Sequence, residues 1–303
     1  MRVGLIQVDG KWPNLALAKI CSHHAVRGDD VEWYSPLMAE AYDRVYASKV
    51  FTTSEDDPYL PQDAVCGGIG YDVTAVLDGG IEDGSPDWRL WPDWPYDMGF
   101  TTRGCVRGCG FCFVPSKEGR IRVVADFGDV WTGRRDCYLL DNNITAAPID
   151  HFRAVCEDAR RAGARLSFCQ GLDARLLTDE HAAILASAPL FTQIYMAFDN
   201  IADEEAVRRA VSLLSARGVR PGRLMFYVLT GWDSTPEEDM YRVELLRSLG
   251  CDPFAMRYDA HDRYQLDFAR WVNRKQLFKT CTFAEYLSGR RTEIGPLLAR
   301  SEA

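Results

Sequence analysis

Short apolar runs alternate with stretches of helical period along most of the chain. Residues 3–8 ("VGLIQV") form an apolar run of strand length. Residues 14–30 ("NLALAKICSHHAVRGDD") repeat apolar positions at helical spacing, with Asn14 placed to cap the helix and Gly28 placed to end it. The next strand candidates are "VEWYSP" (31–36), "RVYASKVFT" (44–52) and "DAVCGGIGYD" (63–72), the last running into a glycine turn. This order predicts a small doubly wound, Rossmann-like parallel sheet over residues 1–80. Gly67, Gly68 and Gly70 do not have the dinucleotide-binding spacing and read as a tight strand-to-helix turn. Asp9 falls at the end of the first strand, where such sheets usually meet ligands.

Residues 81–96 are rich in Pro, Asp and Trp, lack a period, and read as a connector that packs aromatic rings. Alternation then resumes. The strands are "CYLLD" (137–141), "RLSFCQG" (165–171), "FTQIYMAFD" (191–199), "RLMFYVLTG" (223–231) and "PFAMRYD" (253–259). Helical patterns lie near 149–162, 178–187, 203–217 and 236–249. Thr178 and Thr235 are placed as N-caps, and Gly163, Gly218 and Gly250 as stops. With one strand ahead of Cys105, residues 97–261 make six β/α units, a partial (β/α)6 barrel of parallel strands. Its chemistry belongs at the carboxyl ends of those strands. Residues 262–303 read as a helical C-terminal cap. The fold class is therefore α/β.

Composition narrows the setting. The chain has 303 residues, is 47% hydrophobic and 26% charged, and has no apolar run near the ~20 residues of a membrane-spanning helix. Its first residues read as a buried strand and not as a signal peptide. Cytoplasmic location and no membrane partner are expected. The formal charge of −9 opposes a broad hold on nucleic acid, which rests on Lys and Arg neutralising phosphates. The pairs Arg160-Arg161, Arg208-Arg209 and Arg290-Arg291 read as solvated helix faces.

Ten cysteines in a reducing compartment point to metal or redox chemistry wherever they cluster. Seven are scattered (Cys21, Cys66, Cys137, Cys156, Cys169, Cys251 and Cys281) and read as small buried hydrophobes. Cys105, Cys109 and Cys112 fall in one short stretch, "TTRGCVRGCGFCFVP". A structural zinc site wants four ligands, so zinc here needs a distant fourth such as Cys137. A [4Fe–4S] cluster also usually takes four thiolates, and three would leave one iron open.

At this loop the sequence resembles the radical S-adenosylmethionine (SAM) superfamily, whose signature is Cys-x3-Cys-x2-Cys with an aromatic residue before the last Cys, here Phe111. The resemblance covers roughly residues 97–260. It implies a [4Fe–4S] cluster on Cys105, Cys109 and Cys112 whose open iron is chelated by SAM. An electron then cleaves SAM to a 5′-deoxyadenosyl radical that abstracts hydrogen from a substrate. It implies Phe111 beside the adenine, and Asp141, Asn142 and Asn143 at the SAM amino group or substrate. Gln170 and Arg175 would meet the ribose and carboxylate of SAM. Asp199, with Tyr258 or Asp259, would face the same pocket. Each of these polar residues reads equally as a turn former or helix cap, and Arg175 as the partner of Asp173 or Asp179. The resemblance also implies a reducing partner such as a flavodoxin or ferredoxin.

Residues 1–80 resemble the cobalamin-binding domain that precedes many such barrels, but the pattern Asp-x-His-x-x-Gly is absent from residues 1–90. The domain reads as degenerate, with the fold kept and cobalamin lost. His23 and His24 read as surface or edge packing. Three alternatives stay open: a cobalamin-dependent methyltransferase, an enzyme acting on a nucleic-acid base, and a zinc or iron–sulfur binding structural or sensor protein.

Overall fold

The structure, a computed structural model, describes residues 1–291. It is a mixed α/β protein with several parallel sheets. It divides into two compact units, residues 1–142 with 158–165, and residues 143–157 with 166 onward. The expected connector over 81–96 lies within the first unit.

In the first unit, β1 (Arg2–Gln7), β2 (Asp30–Trp33), β3 (Arg44–Ser48) and β4 (Val65–Gly67) form a parallel sheet of order β2-β1-β3-β4. Helix α1 (Leu15–Val26) links β1 to β2. Asn14 caps it by accepting the Leu17 N–H at 3.1 Å, and Gly28, at φ +78°, ends it. Apolar Val3, Leu5, Leu17, Ile20 and Tyr46 bury between α1 and the sheet. Removing each from water contributes roughly 1.5–3 kcal/mol. The doubly wound alternation stops there. A 3₁₀ turn (Pro36–Ala41) stands between β2 and β3, and β3 reaches β4 through turns alone. The glycine turn after β4 does not open a helix directly either: the next one, a single turn at Gly79–Glu82, follows eleven residues after Gly68. The glycine turn packs on the backbone beyond β3, where a Cβ on Gly68 would come within 2.4 Å of the Lys49 carbonyl oxygen.

Two further parallel strands, β5 (Tyr96–Gly99) and β8 (Asp136–Leu139), complete this unit. Between them lies an antiparallel hairpin of β6 (Thr102–Arg103) and β7 (Arg122–Val123), not foreseen in the sequence because each strand is two residues long. Trp88, Ala18 and Met98 form a buried cluster with Trp91, Trp94 and Tyr138 against it, so the tryptophans of the connector do pack as rings.

The second unit follows the predicted alternation closely. Helix α2 (Ile149–Arg161) and strand β9 (Arg165–Phe168) straddle the division. After them come α3 (Asp179–Ser187), β10 (Ile194–Ala197), α4 (Glu204–Ala216), β11 (Leu224–Thr230), α5 (Pro236–Ser248) and β12 (Asp252–Arg257). Strands β10, β11 and β12 are parallel neighbours. Thr178 and Thr235 cap α3 and α5 in reciprocal capping boxes, and Gly163, Gly218 and Gly250 all take positive φ. Ile194, Met196, Leu224, Phe226 and Val228 are buried, while Tyr195, Tyr227 and Phe254 are half-buried or exposed. That alternation gives the sheet one dry face and one wetter one. Helices α6 (Arg263–Asn273), α7 (Lys275–Thr280) and α8 (Phe283–Arg291) follow, in keeping with a helical extension; residues 292–303 lie outside the described residues. Among the described residues no helix is long and apolar enough to cross a membrane.

Candidate metal and cofactor site

The three clustered cysteines occupy the loop of the β6–β7 hairpin, on the chain that leaves the carboxyl end of β5. All three are half-buried, and none of the ten cysteines is in a disulfide. The backbone enters the loop through Gly104 at φ +83°, where an added Cβ would meet the Arg120 carbonyl oxygen at 2.4 Å. Only glycine fits there. Cys105 N donates to Gly119 O at 3.1 Å, closing the loop at its neck. Within it, Cys112 N donates to Cys109 O at 3.0 Å, and the Arg107 N–H lies 3.3 Å from Cys105 Sγ. An amide donor on the sulfur is what a thiolate or a cluster ligand receives.

The donor set therefore fits a thiolate-bound group by chemistry and backbone. The side chains themselves are not gathered: among the described residues, no three His, Cys, Asp or Glu groups form a set that could hold a metal ion. Metal coordination is itself what draws such ligands together. Phe111 is half-buried in the same loop.

Asp141 and Asn142, just beyond β8, hold the entry to the loop. Asp141 Oδ1 accepts from Thr101 N (3.1 Å), Thr101 Oγ1 (2.8 Å), Thr102 Oγ1 (2.6 Å) and Thr102 N. Its Oδ2 is buried with no hydrogen-bond partner. Burial pushes this carboxyl above the usual carboxylate range, against the four donors. Asn142 Oδ1 accepts the Gly104 N–H at 2.9 Å. Thr101 and Thr102 thus belong to the site, though two adjacent threonines gave no signal of it.

The remaining expected residues lie in the second unit. Gln170 is exposed, and its amide lies 4.0 Å from Cys169 Sγ. Arg175 pairs with Asp173 at 2.8 Å and Asp203 at 3.2 Å, so of its two anticipated partners Asp173 is observed, and Asp179 instead pairs with Arg217. Asp199 Oδ1 accepts the Leu229 N–H at 2.9 Å, and burial raises its carboxyl above the usual range. Asn143 Nδ2 lies 3.4 Å from Asp173 Oδ2. Tyr258 is 52% exposed, and Asp259 takes the His261 N–H at 2.8 Å as a turn former does. Arg242, missed as a helix residue, is fully buried; it donates to the carbonyls of Phe198, Asp199 and Leu229 and pairs with Asp239.

Other expectations resolve individually. Cys21, Cys137, Cys156 and Cys251 are buried as read; Cys66 is exposed, and Cys169 and Cys281 are half-buried. Exposed Arg161 pairs with Asp158, and Arg208 with Glu204, as solvated helix faces do; the side chains of Arg290 and Arg291 lie outside the described residues. Asp9 spends its carboxylate on the N–H groups of Val50 and Phe51, both at 2.8 Å. His24 corrects the surface reading. It is 3% exposed, with Nδ1 2.7 Å from Asp29 Oδ2 and Nε2 3.1 Å from the Tyr46 hydroxyl, tying the end of α1 to β3.

The first unit also contains a cavity of about 1160 Å³, walled by α1, β3, β4 and the base of the cysteine hairpin, with Lys19, His23, Tyr46, Gly68, Arg103 and Lys117 in its lining. No protein-family model matches the chain, and no curated protein matches it.

Proposed function

We propose that the protein is a radical SAM enzyme. The observation that carries this reading is the loop itself: Cys-x3-Cys-x2-Cys after the carboxyl end of a parallel strand, on a backbone only Gly104 allows, with an amide on the first sulfur. A [4Fe–4S] cluster held by Cys105, Cys109 and Cys112 would supply the electron that breaks the C5′–S bond of SAM. The chain's own residues bind and position. Asp141 and Asn142 fix the loop's entry, Phe111 offers a ring beside it, and Gln170, Arg175 and Asp199 offer polar groups to the ligand. In this reading residues 97–261 are a partial (β/α)6 barrel, residues 1–80 a Rossmann-like domain related to cobalamin-binding ones, and the compartment is the reducing cytoplasm. The substrate stays unassigned, with a nucleic-acid base the less favoured class.

The test needs no substrate. The protein is reconstituted with iron and sulfide under anaerobic conditions, given SAM and dithionite, and assayed for 5′-deoxyadenosine. Formation by the wild type and Cys169→Ala, but not Cys109→Ala, is expected. Zinc in place of iron, with no product, would make the loop a structural clip and sink the reading.

The cavity favours a second reading, in which the first unit keeps a ligand such as cobalamin and the reaction is methyl transfer. His24 does not fit as a cobalt ligand, since both its ring nitrogens are engaged. Failure to retain added cobalamin on gel filtration would retire this alternative.

A further inference from the structure

The segment bearing the cysteines is basic within an acidic chain. Residues 101–125 carry five cations (Arg103, Arg107, Lys117, Arg120 and Arg122) and one carboxylate, Glu118, whereas the chain's formal charge is −9. Two of the cations are used internally. Arg103 pairs with Glu82 and Glu118, and Lys117 donates to the carbonyls of Val73 and Ala75. Arg120 and Arg122 are exposed, and neither pairs with a carboxylate among the described residues; Arg122 donates only to the Glu118 carbonyl. The next acids along the chain, Asp126 and Asp129, close a capping box on each other's backbone.

Apolar side chains stand exposed in the same segment: Val106 at 52%, Phe113 at 46%, Val123 at 44% and Val124 at 45%. Arg122 and Val124 also line the cavity. Exposed apolar groups among unpaired arginines have the composition of a protein contact surface, where charge steers the encounter and apolar area holds it. A nucleic-acid path would ask for more. Phosphate binding rests on Lys and Arg neutralising phosphates and weakens steeply as salt rises, and two exposed arginines neutralise few.

We propose that this hairpin is the docking surface for an acidic protein electron carrier. Arg120 and Arg122 meet the carrier's carboxylates, and Val106, Phe113 and Val123 make the apolar contact. The proposal rests on the radical reading and names where its electron enters: the reduced carrier loses one electron, and the group held by the loop gains it.

The experiment uses the reconstituted full chain with an acidic ferredoxin as the probe, and compares wild type with Arg120→Glu/Arg122→Glu and with Arg120→Lys/Arg122→Lys. 5′-Deoxyadenosine formation is driven either by dithionite or by reduced ferredoxin. With dithionite, all three proteins should agree within about twofold. With ferredoxin, the Glu pair should lose about tenfold or more in kcat/KM, mostly through KM, while the Lys pair stays near wild type. The wild-type rate should fall with added salt, and that dependence should flatten in the Glu pair. An unchanged ferredoxin-driven rate in the Glu pair overturns the proposal, as does an equal loss with dithionite. If the wild type makes no product with dithionite, the radical reading fails, and calorimetric titration of ferredoxin at low salt decides the surface alone. Binding weakened in the Glu pair upholds it; absent or unchanged binding overturns it. Binding of tRNA that the Glu pair abolishes, without ferredoxin binding, overturns it in favour of a nucleic-acid partner.

Discussion

Asn142 Oδ1 accepts the backbone N–H of Gly104 at 2.9 Å, and the next residue along the chain is Cys105. Its neighbour Asp141 holds Thr101 and Thr102 through one carboxylate oxygen, so the end of one strand fixes three of the four residues that lead into the loop. Asp141→Ala removes the acceptor of four buried donors. Each lost acceptor costs roughly 1–3 kcal/mol, and relaxation recovers part, so a net loss of about 3 kcal/mol is expected. Asp141→Asn keeps an oxygen in place and should cost clearly less, since burial already favours the neutral carboxyl. Urea unfolding of both variants checks this; equal losses would show that the clamp is not the source.

The two glycines Gly104 and Gly108 should respond oppositely to the same change. A Cβ on Gly104 meets backbone oxygen at 2.4 Å and must sit at φ +83°, whereas a Cβ on Gly108 has nothing within 4 Å. Gly104→Ala should therefore shift the neck of the loop and abolish iron–sulfide incorporation. Gly108→Ala should retain it. The measurement is iron and acid-labile sulfide per chain after reconstitution, and loss in both variants would break the link to the neck.

The periodic elements were legible because each pairs a local cue with a long apolar pattern. Thr235 caps α5 as read, and each β strand from 136 to 257 overlaps its expected stretch, with β8 and β12 each starting one residue earlier, because alternation and caps are written in adjacent residues. What was not legible depends on approach through space. The hairpin strands are too short to show a period. Nothing near Lys49 marks the glycine turn that packs on it. His24 looked like an edge residue because its partners, Asp29 and Tyr46, lie on other elements. In the loop, spacing disclosed the cysteines, but not that Thr101, Thr102 and Asp141 fix its entry. Arg242 gave no sign of this in the sequence, since the carbonyls it serves lie just past β10, at Phe198 and Asp199, and on β11, at Leu229.

Arg242 and Asp239, both fully buried, form an ion pair one helical turn apart on α5. The guanidinium also satisfies three carbonyls at the ends of β10 and β11, including that of Asp199. Arg242→Leu strands a buried carboxylate and should cost about 3–5 kcal/mol. Adding Asp239→Leu removes the stranded charge, so the double variant should be more stable than Arg242→Leu alone. Denaturant midpoints of the three proteins give the comparison. A double variant less stable than the single one would mean that Asp239 gains more from the Ser234 hydroxyl, which donates to its Oδ1 at 2.7 Å, than its stranded charge costs.

Asp9 gives stability a definite pH dependence. Burial pushes its carboxyl up, but the N–H groups of Val50 and Phe51 outweigh that and leave it below its ordinary value of 3.8. A carboxyl lowered in the folded state stabilises fully above its unfolded value, and that contribution is lost as pH falls through the folded one. Asp9→Ala should thus be less stable than wild type by about 1 kcal/mol at neutral pH, as for loss of a capping acceptor. The gap should narrow once pH drops below 3.8. Urea unfolding of both proteins from neutral to acid pH measures it directly. A gap that stays constant or widens on acidification would show that the ionised carboxylate of Asp9 does not stabilise the turn at Val50 and Phe51.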